Sequence, residues 1–214
     1  MSYKIFNNFK NSYWSWSNVI KINNLTLNMK QIVFYVEDAS DWMHLNPIIN
    51  SIKKREQNVI RITSDSKDLL LKNQNVFYIG LGSARTFLFR TIVAKSLVMT
   101  LSDLGSFYLK RSIHPVHYFY VFHSIVSTHR IYREHAFNAY DTILCVGEHH
   151  IKEIKKTEKI YGLSKKNLEK HGYGRLDTLI SEKNKKKFLD KKIKSVPHVL
   201  IAPSWGTSSI VNQH

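Results

Sequence analysis

Apolar residues in this chain gather into short runs, and the stretches between them carry helical spacing. Gln31–Val36, Asn58–Ile62, Val76–Ile79, Ser96–Leu101, Tyr118–Phe122 and Asp141–Val146 are brief, apolar and bounded by polar, Asp or Gly signals. Runs of that length read as strands covered on both faces, as in a parallel sheet. After the first, Trp42, Leu45, Ile48, Ile49 and Ile52 recur at helical spacing. They predict a helix capped by Ser40 or Asp41 and running to Glu56. A short helix is expected over Ser66–Leu71, and Ala84–Leu101 divides into a helix and then a strand. Strands alternating with helices give an α/β fold: a parallel sheet flanked by helices, with right-handed crossovers.

The ends of the chain are patterned differently. Residues 1–30 are Asn-rich and dotted with Phe6, Phe9, Tyr13, Trp14 and Trp16, with neither period clean. They predict a peripheral extension with one short helix. Trp14 and Trp16 then pack on the domain surface, with a membrane interface as the alternative. Lys183–Lys194 reads as a solvated basic helix or linker, and Pro197–Ala202 as a fresh strand. The expected organisation is an extension (1–30), a sheet domain (31–182), a basic linker (183–196) and the start of a further domain (197–214).

Composition narrows the class. With 214 residues, 43% hydrophobic and 12% aromatic, the chain can bury a sizeable core. The single cysteine, Cys145, lies inside an apolar run and excludes a disulfide framework. A net charge of +16 points to a polyanion, an anionic membrane surface, or lysines scattered without function. No window reaches the 18 or so apolar residues of a spanning helix. Nor does the N-terminus have the make-up of a secretory signal, so the expected location is cytoplasmic, with contact at the inner membrane surface as a further expectation.

Candidate chemistry concentrates between residues 121 and 179. His123 ends a predicted strand, and an imidazole there can exchange a proton near neutral pH. Ser124, Ser127 and Thr128 stand where a helix is expected to begin, which suits either an anion or ordinary capping. His129, Arg130 and Arg133 are expected on that helix, His129 and Arg133 one turn apart on a shared face; the arginines suit bidentate phosphate contact. Gly172-Tyr173-Gly174-Arg175-Leu176-Asp177 is a glycine-bracketed turn entering a helix, in which Arg175 can meet phosphate and Asp177 can cap the helix or orient Arg175. The adjacent pair His149 and His150 diverges on a helix and lacks zinc-ligand spacing, so no metal site is expected. Gly80-Leu81-Gly82-Ser83 lacks phosphate-loop spacing and reads as a tight turn.

These residues also resemble a family. Phe122-His123-Ser124 is similar to the Trp-His-Gly of the CDP-glycerol glycerophosphotransferases, which include the teichoic-acid primases and polymerases. Gly172–Asp177 resembles their Gly-Tyr-Pro-Arg-Asn-Asp, and Ala202-Pro203-Ser204-Trp205 their Ala-Pro-Thr-Trp. The likeness spans roughly residues 116–206, and departs in having Ser124 for Gly, Gly174 for Pro and Leu176 for Asn.

The resemblance implies the N-terminal, Rossmann-like half of a GT-B-type transferase, followed by the first strand of a second domain. It implies a truncated chain with little or no turnover alone. The activity implied is transfer of glycerol phosphate from CDP-glycerol to a cell-surface polymer or its lipid-linked precursor. His123 aligns with the family's base, the Gly172–Asp177 turn with an element beside the interdomain cleft, and no cofactor is implied. Two other classes stay open: a GT-B transferase using a nucleotide sugar for capsule or lipopolysaccharide, and a basic nucleic-acid binder. The second has only the charge behind it, since no nucleic-acid-binding module is visible.

Overall fold

The computed structural model describes residues 2–102, 104–106 and 109–189. Seven strands form one sheet: β1 (Ile32–Val36), β2 (Val59–Thr63), β3 (Val76–Tyr78), β4 (Ser96–Met99), β5 (His117–Val121), β6 (Thr142–Cys145) and β7 (Asn167–Lys170). Every pairing is parallel, and the order across the sheet is β3-β2-β1-β4-β5-β6-β7. The chain builds outward from β1 to β3, then returns to the other side of β1 and builds outward again. That reversal between β1 and β4 is the topological switch point of a Rossmann-like fold.

Six α-helices complete the described structure: α1 (Ser2–Asn24), α2 (Trp42–Lys53), α3 (Ser83–Thr91), α4 (Thr128–Ile131), α5 (Glu148–Ile160) and α6 (Gly174–Leu189). Alternation along β1 sends Val33 and Tyr35 into one core and Phe34 and Val36 into another. The first core is shared with Val19 and Ile22 of α1, Leu88 and Phe89 of α3, and Ile151 and Ile154 of α5. The second is closed by Trp42, Leu45 and Ile49 of α2 against Val59, Val98 and Val121. Burying each such side chain contributes about 1.5–3 kcal/mol, so both faces of the sheet are held by apolar packing.

Three features depart from the sequence pattern. Residues 1–30 are no loose extension: α1 runs 23 residues and packs into the domain core. Among its described side chains the buried ones are Ser15, Asn18, Val19 and Ile22, with the Asn18 amide donating to the Tyr78 carbonyl at 2.9 Å. Trp14 and Trp16 lie on Tyr78 and Phe87, at 4.6 and 5.4 Å between ring centroids. Second, β7 has no apolar run, because it is exposed and, among the described residues, is an edge strand paired with β6 alone. Third, α6 runs through Leu189, so the described part of the stretch read as a solvated helix or linker is helix.

Two compact units divide the chain, Met1–Asp177 and Thr178–His214. The expected strand Pro197–Ala202 and the Ala202–Trp205 element lie outside the described residues. Among the described residues, no helix is long and apolar enough to cross a membrane.

Candidate functional site

A ligand crevice in such a sheet lies beyond the carboxyl ends of the strands at the switch point. Here those ends are tied together: Thr100, just past β4, donates its hydroxyl to the Asp41 carboxylate in the loop after β1, at 2.9 Å. His123 enters from the neighbouring strand, two residues past the end of β5. Its Nδ1 is 3.3 Å from the Thr100 carbonyl oxygen. A carbonyl only accepts, so in this contact Nδ1 carries the proton, and in the neutral ring the lone pair is then on Nε2. The ring is exposed. That is the tautomer and setting a proton acceptor needs.

Around His123 the fold gathers residues from α2 and from the turn after β7. His44 follows Asp41 by three positions and so shares its helix face. The His44 ring lies 6.2 Å from that of His123 and 5.7 Å from that of Tyr173, centroid to centroid. His44 is buried, and its Nδ1 has no hydrogen-bond partner. Burial lowers its pKa; Asp41 opposes that effect, while the positive charge of Arg175, and that of His123 when its ring is protonated, reinforce it. Tyr173 donates its phenol to the His123 carbonyl at 2.9 Å.

Gly172 has φ +83°, a backbone that favours glycine. Gly174 is required for a different reason: a Cβ there would stand 2.8 Å from Cγ of Pro47 on α2. The turn Gly172–Asp177 is thereby seated against α2 with Arg175 and Asp177 exposed in the first turn of α6. Of the expected site residues, the structure brings His123, Gly172 and Arg175 together here.

The remaining ones form a second group. The helix expected to carry His129, Arg130 and Arg133 is a single turn, ending at Ile131 with Tyr132 extended. His129 and Arg133 therefore do not share a helix face. The donors at its start are already engaged by Glu153 of α5, which accepts from the Thr128 N–H (2.6 Å), the Thr128 hydroxyl (2.7 Å) and the Ser127 hydroxyl (2.8 Å). Burial alone would raise the Glu153 pKa, but the bonds from Thr128 and Ser127 outweigh it and hold the carboxyl below its ordinary value. An internal carboxylate thus stands where an external anion was expected. Ser124 faces the Tyr132 hydroxyl at 3.3 Å. His129 and Arg133 instead line a cavity of about 150 Å³ with Tyr132, Phe137, Glu158 and Lys166, while Arg130 is exposed. Tyr132 joins the two groups, its ring centroid 6.3 Å from that of His123 in an edge-on arrangement.

The other motifs are structural. Gly80 turns left-handed at φ +59°, and its carbonyl accepts from the Ser64 hydroxyl at 2.5 Å. Arg85, in the helix that follows, pairs with Glu37. His150 is fully buried; its Nε2 donates to the Val126 carbonyl at 2.9 Å, which anchors the loop after β5. Among the described residues no group of three side chains could hold a metal ion. Burial pushes the Cys145 thiol up to about 12, so it packs as a small apolar group.

His44, Asp41, Thr100 and Tyr173 were not singled out by sequence. The signal for the first two was present: Asp41 and His44 fall at i, i+3 in the turn that opens the first crossover helix. Compared with protein-family models, with curated proteins and with solved structures, the chain matches none of them.

Proposed function

We propose that this chain is a glycerophosphotransferase-like protein, its Rossmann-like domain forming the acceptor side of a transferase that takes glycerol phosphate from CDP-glycerol. The acceptor is a hydroxyl of a cell-surface polymer or of its lipid-linked precursor, reached on the cytoplasmic face of the membrane. In the reaction the acceptor oxygen bonds to the phosphorus that bears glycerol. The bond from that phosphorus to the bridging oxygen breaks, and CMP leaves with the electron pair. His123 Nε2 accepts the hydroxyl proton, a step that a base placed at a crevice near neutral pH serves well.

The observation that carries this reading is the contact between His123 Nδ1 and the Thr100 carbonyl, which in the neutral ring leaves the lone pair on Nε2, past the carboxyl end of β5. Support comes also from Arg175, whose charge acts on the same histidine cluster and which suits a phosphate group. The test is thermal stabilisation of the chain by CDP-glycerol, by glycerol-phosphate oligomers and by UDP-sugars. A ligand at a hundred times its Kd adds about 2.7 kcal/mol of stability. The expected result is a rise in Tm with the glycerol-phosphate compounds that is lost in His123→Ala. Stabilisation by UDP-sugars alone would move the reading to a nucleotide-sugar transferase.

A further inference from the structure

We propose that the outer face of α1, with the exposed side of α3 beside it, docks on a bilayer that carries anionic lipid. The inference goes beyond the transferase reading and makes no use of it. It stands on the apolar and charged residues of one surface.

Two independent observations support it. The first is that α1 is apolar on two sides. Its inward side packs Val19 and Ile22 into the core. Tyr13, Trp16 and Ile20 fall on the opposite side, within about 60° of one another at 3.6 residues per turn. Tyr13 is 79% exposed and Ile20 60%. A helix on a domain surface ordinarily turns polar residues to water there. The stripe continues onto α3, where the Trp16 ring lies on that of Phe87, itself exposed. One turn further, the Arg90 carbonyl accepts from the Ile113 N–H at 3.0 Å, which sets a 63% exposed isoleucine beside the end of α3. Such side chains scattered singly need no explanation, but gathered in this way they mark an interaction surface.

The second is charge. Residues 1–36, 69–102 and 104–133 contain no aspartate or glutamate, although the chain has 16 of them. Those segments include α1, α3 and most of the connection from β4 to β5. Lys10 and Lys21 flank the stripe on α1, and Arg90 follows Phe87 by three positions on α3; all three are exposed. Glu37 and Asp141, which reach α3 and the segment before β5, are each held by an arginine, Arg85 and Arg111. Aromatic and aliphatic groups set among cations, with no acid to repel a phosphate headgroup, suit the boundary layer of an anionic bilayer. Trp and Tyr settle at headgroup level. A nucleic acid would take the cations but offer Ile20 and Ile113 no apolar medium, whereas a bilayer takes both.

The experiment is flotation of the full chain with vesicles of phosphatidylcholine, alone or mixed with phosphatidylglycerol, at low and at high salt. The expected result is binding to the mixed vesicles that weakens as salt rises, with little binding to phosphatidylcholine alone. Tyr13→Ser combined with Ile20→Ser should weaken that binding roughly tenfold or more, through the apolar area withheld from lipid. Lys10→Gln combined with Lys21→Gln should weaken it roughly thirtyfold, about fivefold for each charge. All four side chains are exposed, so Tm should not change. No binding to the mixed vesicles at low salt, or equal binding by wild type and the Tyr13 and Ile20 variant, would overturn the proposal. A concentration-dependent dimer abolished by the same two substitutions would also overturn it, because a second copy then covers the face. So would a preference for duplex DNA over the mixed vesicles that those substitutions leave unchanged. None of these outcomes involves CDP-glycerol, so the transferase reading stands or falls separately.

Discussion

Tyr173 donates its phenol to the backbone carbonyl of His123 across 2.9 Å, fastening the turn after β7 to a strand end fifty residues earlier in the chain. The bond joins two motifs that are separate in sequence, and it makes no use of the imidazole. Removing it with Tyr173→Phe should cost only ~0.5–1 kcal/mol, because the bond is exposed. Urea denaturation measures that cost. A loss well beyond this would mean that the hydroxyl holds the turn more strongly than one exposed hydrogen bond can.

Gly174 provides a sharper test of how the same turn is seated. Its backbone is not left-handed, so the penalty for a side chain is steric alone: a Cβ would meet Pro47 at 2.8 Å. Gly174→Ala is expected to destabilise by roughly 1–3 kcal/mol, the usual range for overpacking. In a Pro47→Ala background most of that penalty should vanish. A double-mutant cycle with no coupling would show that the turn does not rest on α2.

Acid stability should depend on Asp141. Burial alone would raise its pKa, but hydrogen bonds from Arg111 and from the Tyr118 N–H, with the charges of Arg111 and His117, hold it below the ordinary value. Arg111 meets both carboxylate oxygens at 2.9 Å. Because the folded pKa is the lower one, this contribution is complete above the unfolded value of about 3.9 and is lost as pH falls through the folded pKa. Asp141→Asn should cost about 1–2 kcal/mol at neutral pH, after allowing for a pair about one-third exposed. It should also flatten the stability profile on the acid side. An unchanged acid slope would contradict the role given to the pair.

The buried histidines act at higher pH. Burial lowers the pKa of both His44 and His150, so the unfolded chain takes up their protons first. The stability linked to their neutral forms is present above about pH 6.5 and declines as pH falls below that value. His150→Phe should remove part of the decline between pH 6.5 and 5, read as Tm against pH. If the slope is the same in wild type and variant, His150 does not contribute.

How much of this was legible in the sequence follows from which residues face an apolar environment. Strands β1 to β6 are covered on both faces, so each announces itself as an apolar run. Strand β7 has the sequence Asn167-Leu168-Glu169-Lys170, and being a solvated edge it has no reason to be apolar. Helix α1 was hidden because Ser15 and Asn18, among its described buried side chains, are polar and satisfied by hydrogen bonds. His123 could be found as the end of an apolar run. Its companions could not be joined to it, since Asp41, His44, Thr100 and Tyr173 meet only once the sheet order is known. The same holds for Glu153, which reaches Thr128 from 25 residues away.

The most direct test of the central claim is a crystal structure of the chain grown with CDP-glycerol or a glycerol-phosphate dimer. The account predicts the ligand past the carboxyl ends of β4 and β5, with a hydroxyl within hydrogen-bond reach of His123 Nε2. Ligand found instead in the cavity lined by Tyr132 and Phe137, with the crevice at Thr100 and His123 empty, would contradict it.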